Sequence, residues 1–204
     1  MKERPILFSG EMVRAILEGR KSQTRRVVAR PRRKDGCKLL PELLAQIGVG
    51  AACPYGKVGD RLWVKETFVI TGYTVTSHGL ARVSGYYCAG LDKFDVVLNA
   101  HESRKFAAWR KKTGAKPSIF MFNSLCRITL GIVSVRVERL QEISINDIVA
   151  EGVYAKGAYT ADFGTDHLTP AYMELWESIN GAGSWAKNPW VWVIEFKRIT
   201  EAGK

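Results

Sequence analysis

Apolar residues recur along this chain with two different periods, and the changes of period mark out its elements. Met12, Val13, Ile16 and Leu17 repeat at helical spacing. They lie between Ser9, a residue type that caps helix N-termini, and Gly19, which suits the left-handed position that ends one. The spacing predicts a helix over Ser9–Glu18, entered from an extended Pro5–Phe8, with Glu11 in the first turn where the helix dipole favours a carboxylate. Residues 24–28 read as a strand. After turns at Cys53–Gly56 and Gly59–Asp60, Arg61–Val69 alternates Leu62 and Val64 against Arg61, Trp63 and Lys65, which predicts another strand.

Cys126–Leu140 also alternates, but its phase slips near Gly131–Ile132. Ile128, Leu130 and Ile132 give way to Val133, Val135 and Val137, which predicts a bulge that turns the apolar set to the other face. Ser144 followed by Asp147 is a capping-box variant and predicts a helix running to Glu151–Gly152. Thr169–Pro170 predicts the start of a further helix, with Tyr172, Leu175, Trp176 and Ile179 on one face and Gly181 and Gly183 at its end. Trp190–Ile199 is apolar on both faces at first, as a buried closing strand would be. Residues 70–120 are less regular, with strands expected at 81–88 and 95–98 and a basic, partly helical 102–112. Arg30–Gly36 reads as a loop and Leu39–Ile47 as a short helix. Long bent strands form small closed barrels, so the order of elements predicts an α+β chain: a small mixed β-barrel with flanking helices. It is expected to be a single domain over 1–204 with insertions at 29–58 and 70–120.

Composition narrows the classes. With 46% hydrophobic residues among 204, the chain can fill a core. It contains no apolar run of the roughly 18–20 residues a membrane span needs, and Met1–Pro5 does not lead into a signal-peptide core. No membrane association is therefore expected. The four cysteines (Cys37, Cys53, Cys88, Cys126) are scattered without zinc spacing, as reduced thiols of a cytoplasmic protein would be, and neither metal nor cofactor is expected. The net charge of +11 is uneven: residues 1–34 hold eleven Lys or Arg against Glu3, Glu11 and Glu18. Such a footprint suits phosphate-bearing partners, although a basic run alone is as often a solvated face.

The densest chemistry is Gly19-Arg20-Lys21-Ser22-Gln23-Thr24-Arg25-Arg26, with four cations and two hydroxyls in eight residues. A threonine hydroxyl is inert alone, but a lysine whose pKa is lowered by burial or by neighbouring cations can activate it. In a strand Lys21 and Thr24 would face opposite ways; they converge only if the turn after Gly19 takes in Ser22 and Gln23. Arg20, Arg25 and Arg26 are candidates for holding substrate. Glu66 is either a pocket carboxylate or a solvent-facing strand residue. Trp185, in a Gly-rich loop, is the candidate for stacking on a base, whereas Trp63 and Trp190 read as core. His78, His101 and His167 carry no pattern.

Four blocks in order resemble the ASCH domain of the PUA-like superfamily, a small β-barrel associated with RNA. They are Ile16–Arg25, Gly59–Val64, Arg136–Leu140 through Ala150-Glu151-Gly152, and Val193–Phe196. In particular the chain resembles the longer ASCH proteins of bacteriophages and prophages. The family's smallest enzymatic members are N4-acetylcytidine amidohydrolases, whose catalytic lysine and threonine stand in a Gly-Arg-Lys-x-x-Thr segment. The resemblance implies Lys21 and Thr24 as their counterparts, and Glu151, by its place in the helix after the long strand, as that of the catalytic glutamate. Another ASCH protein resembling this chain has been described as a ribonuclease. Three functions follow as expectations: deacylation of N4-acetylcytidine or a related modified nucleoside, non-catalytic reading of RNA or modified bases, and metal-independent RNA cleavage. Modified nucleoside or RNA is the expected partner; the oligomeric state is not legible in the sequence.

Overall fold

The computed structural model describes residues 1–28, 53–153 and 167–199. The expected loop and short helix between Arg30 and Ile47 lie outside these residues. Among the described residues, nine strands form two sheets. The first contains β1 (Glu3–Leu7), β2 (Gln23–Val27), β3 (Arg61–Lys65), β8 (Thr129–Arg139) and β9 (Trp190–Ile199), in the order β1-β3-β8-β9-β2. The second contains β4 (Phe68–Val75), β5 (Ala81–Tyr87), β6 (Lys93–Val97) and β7 (Gly114–Lys116), in the order β6-β5-β4-β7. The helices are α1 (Gly10–Leu17), α2 (Ala100–Ala107), α3 (Ile145–Ala150) and α4 (Leu168–Asn180).

This is the expected α+β class, but the sheets do not close into a barrel. In the first sheet β1 and β2 are the two edges, and no backbone pairing joins them among the described residues. The sheet nevertheless curls until the edges face each other, and a side chain spans the gap: Arg26 on β2 donates to the Leu7 carbonyl on β1 at 2.6 Å. β1 is parallel to β3 while the other pairs of this sheet are antiparallel.

Among the described residues, three apolar clusters fill the interior. The first, inside the curled sheet, includes Ile6, Val13, Ile16, Leu62, Val64, Trp192, Ile194 and Phe196. The second lies between the four-stranded sheet and α2, around Phe68, Val83, Phe94 and Phe106. The third packs α3 and α4 on the other side of β9, around Ile148, Tyr172, Trp176, Val191 and Val193. Successive residues of β9 thus alternate between the first and third clusters, which is why its sequence is apolar at every position from 191 to 194.

The bulge in β8 falls where expected, between Ile132 and Ser134. Its consequence is the reverse of the expected one. Ile128, Leu130 and Ile132 before it and Val135 and Val137 after it all face the first cluster, and the extra residue, Val133, is exposed. A bulge adds one residue to the strand, so the slip of phase in the sequence keeps the apolar set on one face. The strand expected over Arg61–Val69 is two: it breaks at Glu66–Thr67, and β3 and β4 belong to different sheets. The last helix begins at Leu168, with His167 before it in helical conformation, so Thr169 is not its N-cap. Ser9 and the Ser144–Asp147 capping box act as expected.

Candidate active site

The site is assembled from the turn after α1, from β2 and from the end of α3. Gly19 takes φ +74°, the left-handed conformation that ends α1 without a Cβ clash. The next amides, of Arg20 and Lys21, donate back to the Ala15 carbonyl at 2.8 and 3.0 Å. The amide of Ser22 then donates to the carbonyl of Ala150, at the end of α3. Lys21 and Ser22 therefore stand in the turn, β2 begins only at Gln23, and strand parity does not separate Lys21 from Thr24.

Lys21 is turned inward with no side-chain exposure. Its Nζ donates to Glu151 Oε2 at 2.6 Å and to the Glu151 carbonyl at 2.8 Å. Glu151 is the residue that caps the C-terminus of α3. A carboxylate there opposes the helix dipole; an ammonium group bonded to both the last carbonyl and the carboxylate offsets that cost. Burial is the largest influence on Lys21 and pushes its pKa below the ordinary 10.5. The Glu151 carboxylate pulls it back upward, and the Arg26 and Arg25 cations push it down further.

Arg25 is also shielded from water and is held by anions on several sides. Its guanidinium lies 2.6 Å from Glu138, 3.1 Å from Asp147 and 3.5 Å from Glu151 Oε1. Arg136 continues the array, bonding Glu138, Asp147 and Glu195. Gln23 bonds Asp147 at 2.8 Å and accepts from Arg25. Asp147 and Glu151 are four residues apart on α3, the spacing that puts both carboxylates on one face toward Arg25. Burial works upward on the Asp147 pKa, but hydrogen bonds from Gln23 and Ser144 and the charges of Arg25 and Arg136 prevail and hold it at about 2. The cationic stretch is therefore largely neutralised from within. Arg25 serves the array rather than a free anion.

Beside this array lies a cavity of about 250 Å³. Thr24, Arg25, Arg26 and Glu151 form its polar wall, and Tyr172 and Trp176 of α4 belong to its apolar one. Four buried polar atoms of these lining residues make no hydrogen bond within the protein: Glu151 Oε1, which has only the Arg25 charge near it at 3.5 Å, Trp176 Nε1, Arg25 Nε and Arg26 Nε. Buried polar atoms are nearly always satisfied, so a cluster of them on one cavity marks groups free to meet a polar ligand. Burial, reinforced by the Glu151 charge, pushes the Tyr172 phenol far above its ordinary pKa, so it stays a neutral donor. Arg26, whose guanidinium lies over the Phe8 ring at 5.4 Å, is the lining cation outside the ion array.

The sequence candidates thus divide. Thr24, Arg25, Arg26 and Glu151 meet at the cavity, and Lys21 stands behind Glu151. Arg20 is at the surface, bonded to Glu18. Glu66 is buried in the corner between the sheets, where Arg127 grips both its oxygens at 2.8 Å, and it does not line this cavity. Trp185 packs edge-on to Tyr172 at 6.1 Å and is not a cavity residue either. Trp63 and Trp190, expected in the core, are half-buried beneath cations, Lys65 at 5.4 Å and Arg139 at 4.4 Å. Sequence reasoning missed Gln23, Glu138, Arg136 and the cavity role of Tyr172 and Trp176. The spacing of Tyr172, Leu175, Trp176 and Ile179 marked a helix face, and all four line the cavity.

No protein-family model matches the chain, and no curated protein matches it either. Among solved structures it is similar to one described as the high-resolution crystal structure of an ASCH domain from Lactobacillus crispatus JV V101. The alignment covers 97% of this chain and 79% of that one, at 12% identity and a TM-score of 0.42. A likeness this loose transfers no residue's role. Among the described residues, no three His, Cys, Asp or Glu are grouped as a metal site would need, and no helix is long and apolar enough to cross a membrane.

Proposed function

We propose that the protein is an ASCH-type amidohydrolase that deacylates N4-acetylcytidine or a closely related modified nucleoside. The observation that carries this reading is the buried Lys21–Glu151 pair, with a Glu151 oxygen that makes no hydrogen bond and the hydroxyl-bearing Thr24 on the wall of one cavity. Sites for drug-sized ligands run from about 300 Å³ upward. A smaller cavity, lined by aromatic rings and a few polar atoms, suits one base or nucleoside rather than a stretch of polymer.

The chemistry follows from the donors available. Glu151 Oε1 takes the proton of the Thr24 hydroxyl as its oxygen attacks the acetyl carbonyl. Arg26 and the Tyr172 hydroxyl supply positive charge and a proton donor for the oxyanion that forms. The carbon–nitrogen bond breaks as the Lys21–Glu151 pair returns the proton to N4, releasing cytidine, and water then frees acetate from Thr24. Lys21 sits behind the carboxylate, so its task is to hold Glu151 and share the mobile proton.

The test is to incubate the protein with N4-acetylcytidine and resolve the products by chromatography. Cytidine formed by the parent protein and lost in Lys21→Ala and Thr24→Val is expected. No cytidine from the parent protein overturns the reading for this substrate.

A further inference from the structure

A second polar recess, of about 430 Å³, opens where the outer face of the first sheet meets the segments flanking α2. Glu3, Trp63, Asn99, Asn123, Ser124 and Thr129 line it. Trp63 and Lys65 are two apart on β3 and so share its outward side, and the Lys65 ammonium lies over the Trp63 ring. Asn99 accepts the Glu102 amide through its oxygen, which leaves its NH2 group to donate elsewhere. The Ser124 hydroxyl is engaged by the buried Glu102 carboxylate, and the flat ring, two carboxamides, the Thr129 hydroxyl and a carboxylate that remain in the recess match both the face and the edge of a nucleobase.

The surface beside it is basic. Residues 103–126 contain Arg104, Lys105, Arg110, Lys111, Lys112 and Lys116 and no Asp or Glu, six positive charges in a chain of net +11. Arg104, Lys105, Arg110 and Lys111 are exposed, and none forms an ion pair among the described residues. Contacts tie this segment to the recess. Lys65 Nζ donates to the Ile119 carbonyl at 2.5 Å, the exposed Phe120 meets Trp109 edge-on at 6.1 Å, and Lys116 lies over Trp109 while bonding the Lys111 carbonyl. Burial lowers the pKa of Lys65, and the charge of Lys105 on α2 lowers it further.

We infer that the recess and this basic face form a binding site for single-stranded nucleic acid. A base enters against Trp63, and backbone phosphates lie on Lys65, Lys105, Arg110 and Lys111. Cationic tracks interleaved with aromatic rings bind single strands in this way, because every base has a stacking face and every linkage a charge. A duplex keeps its bases stacked and offers none to the recess. The site is separate from the Thr24–Glu151 cavity and does not rest on the amidohydrolase reading.

The experiment is fluorescence anisotropy with a fluorescein-labelled single-stranded RNA of mixed sequence, the DNA of the same sequence and the corresponding duplex, over a range of salt. Either single strand should bind more tightly than the duplex, and the better one names the natural partner. The triple variant Lys105→Ala, Arg110→Ala, Lys111→Ala changes only exposed side chains. It should lower the slope of log affinity against log salt by about 2, at about 0.7 per lost phosphate contact. Trp63→Ala should weaken binding by about 5- to 150-fold with the slope unchanged, and Trp63→Phe should restore part of it. Unaltered affinity in the triple variant, equal binding of the duplex, or no binding of either strand overturns the inference. Release of cytidine from free N4-acetylcytidine should be unchanged in the triple variant, so a protein that binds RNA but forms no cytidine refutes the cavity reading alone.

Discussion

Lys21 Nζ stands 2.6 Å from Glu151 Oε2 across 130 residues of sequence, with the lysine side chain wholly removed from water. The pair joins the turn after α1 to the end of α3 and sets one wall of the cavity. Breaking a buried pair from one side leaves the other charge desolvated and alone, at a cost of about 3–5 kcal/mol. Lys21→Met and Glu151→Leu should each lower stability by an amount in that range. The double variant should recover much of the loss, measured as the coupling in a urea-unfolding double-mutant cycle. Additive losses would show that the two groups do not depend on each other.

Gly152 holds this pair in place from the backbone. It has φ +80°, and a Cβ on it would come within 3.0 Å of Lys21 Cβ and 3.1 Å of Ala15 Cβ. Gly19 has φ +74° but open space where its Cβ would go. Gly19→Ala should therefore cost only the left-handed backbone strain, about 1–2 kcal/mol. Gly152→Ala should cost more and also displace Lys21, so that release of cytidine falls together with thermal stability. Equal effects of the two substitutions on activity would rule out a positioning role for Gly152.

Two pH dependences follow from the array. Asp147, held at about 2, binds fewer protons in the folded state than in the unfolded one between that value and the ordinary 3.8. Its contribution is complete above about pH 5 and is lost as pH falls toward 2. Urea midpoints of the parent protein should drop through this window, and Asp147→Asn should flatten the drop. On the alkaline side, in the proposed deacylation, the leaving amine needs the proton that Lys21 and Glu151 share. Burial lowers the Lys21 pKa, so kcat for deacylation should fall with a midpoint below 10.5. An alkaline limb at or above 10.5 would exclude Lys21 as the group responsible.

Glu66 offers a control of opposite sign. Arg127 bonds both its carboxylate oxygens and also lies over the Tyr87 ring at 4.3 Å, in the corner where β3 passes into β4. Glu66→Gln should cost about 2–3 kcal/mol, because the guanidinium loses a charged acceptor in a buried place. Turnover of free N4-acetylcytidine by the folded variant should be unchanged. A selective loss of activity with intact stability would return Glu66 to the substrate site.

The local elements were legible in the sequence because short-range rules govern them. The caps at Ser9 and Ser144, the turn at Gly19, the bulge near Ile132 and the two-faced burial of β9 each follow from a few neighbouring residues. Gly19–Arg26 was also visible as a concentration of charge and hydroxyls, although not which of its cations would be used. Tertiary structure decided that. It closed Arg25 into an array with Glu138, Asp147 and Glu151, left Arg20 at the surface and Arg26 on the cavity, and turned Lys21 inward. No spacing or periodicity signals a partner 130 residues away, because an ion pair has no period and is set only by how the elements pack; only the family resemblance set Lys21 and Glu151 in one site. The break at Glu66 was hidden for a related reason: alternation fixes which way side chains point but not which sheet the strand joins. The curl of the first sheet, bridged by Arg26 and Leu7 without closing, is likewise a property of packing rather than of any one strand.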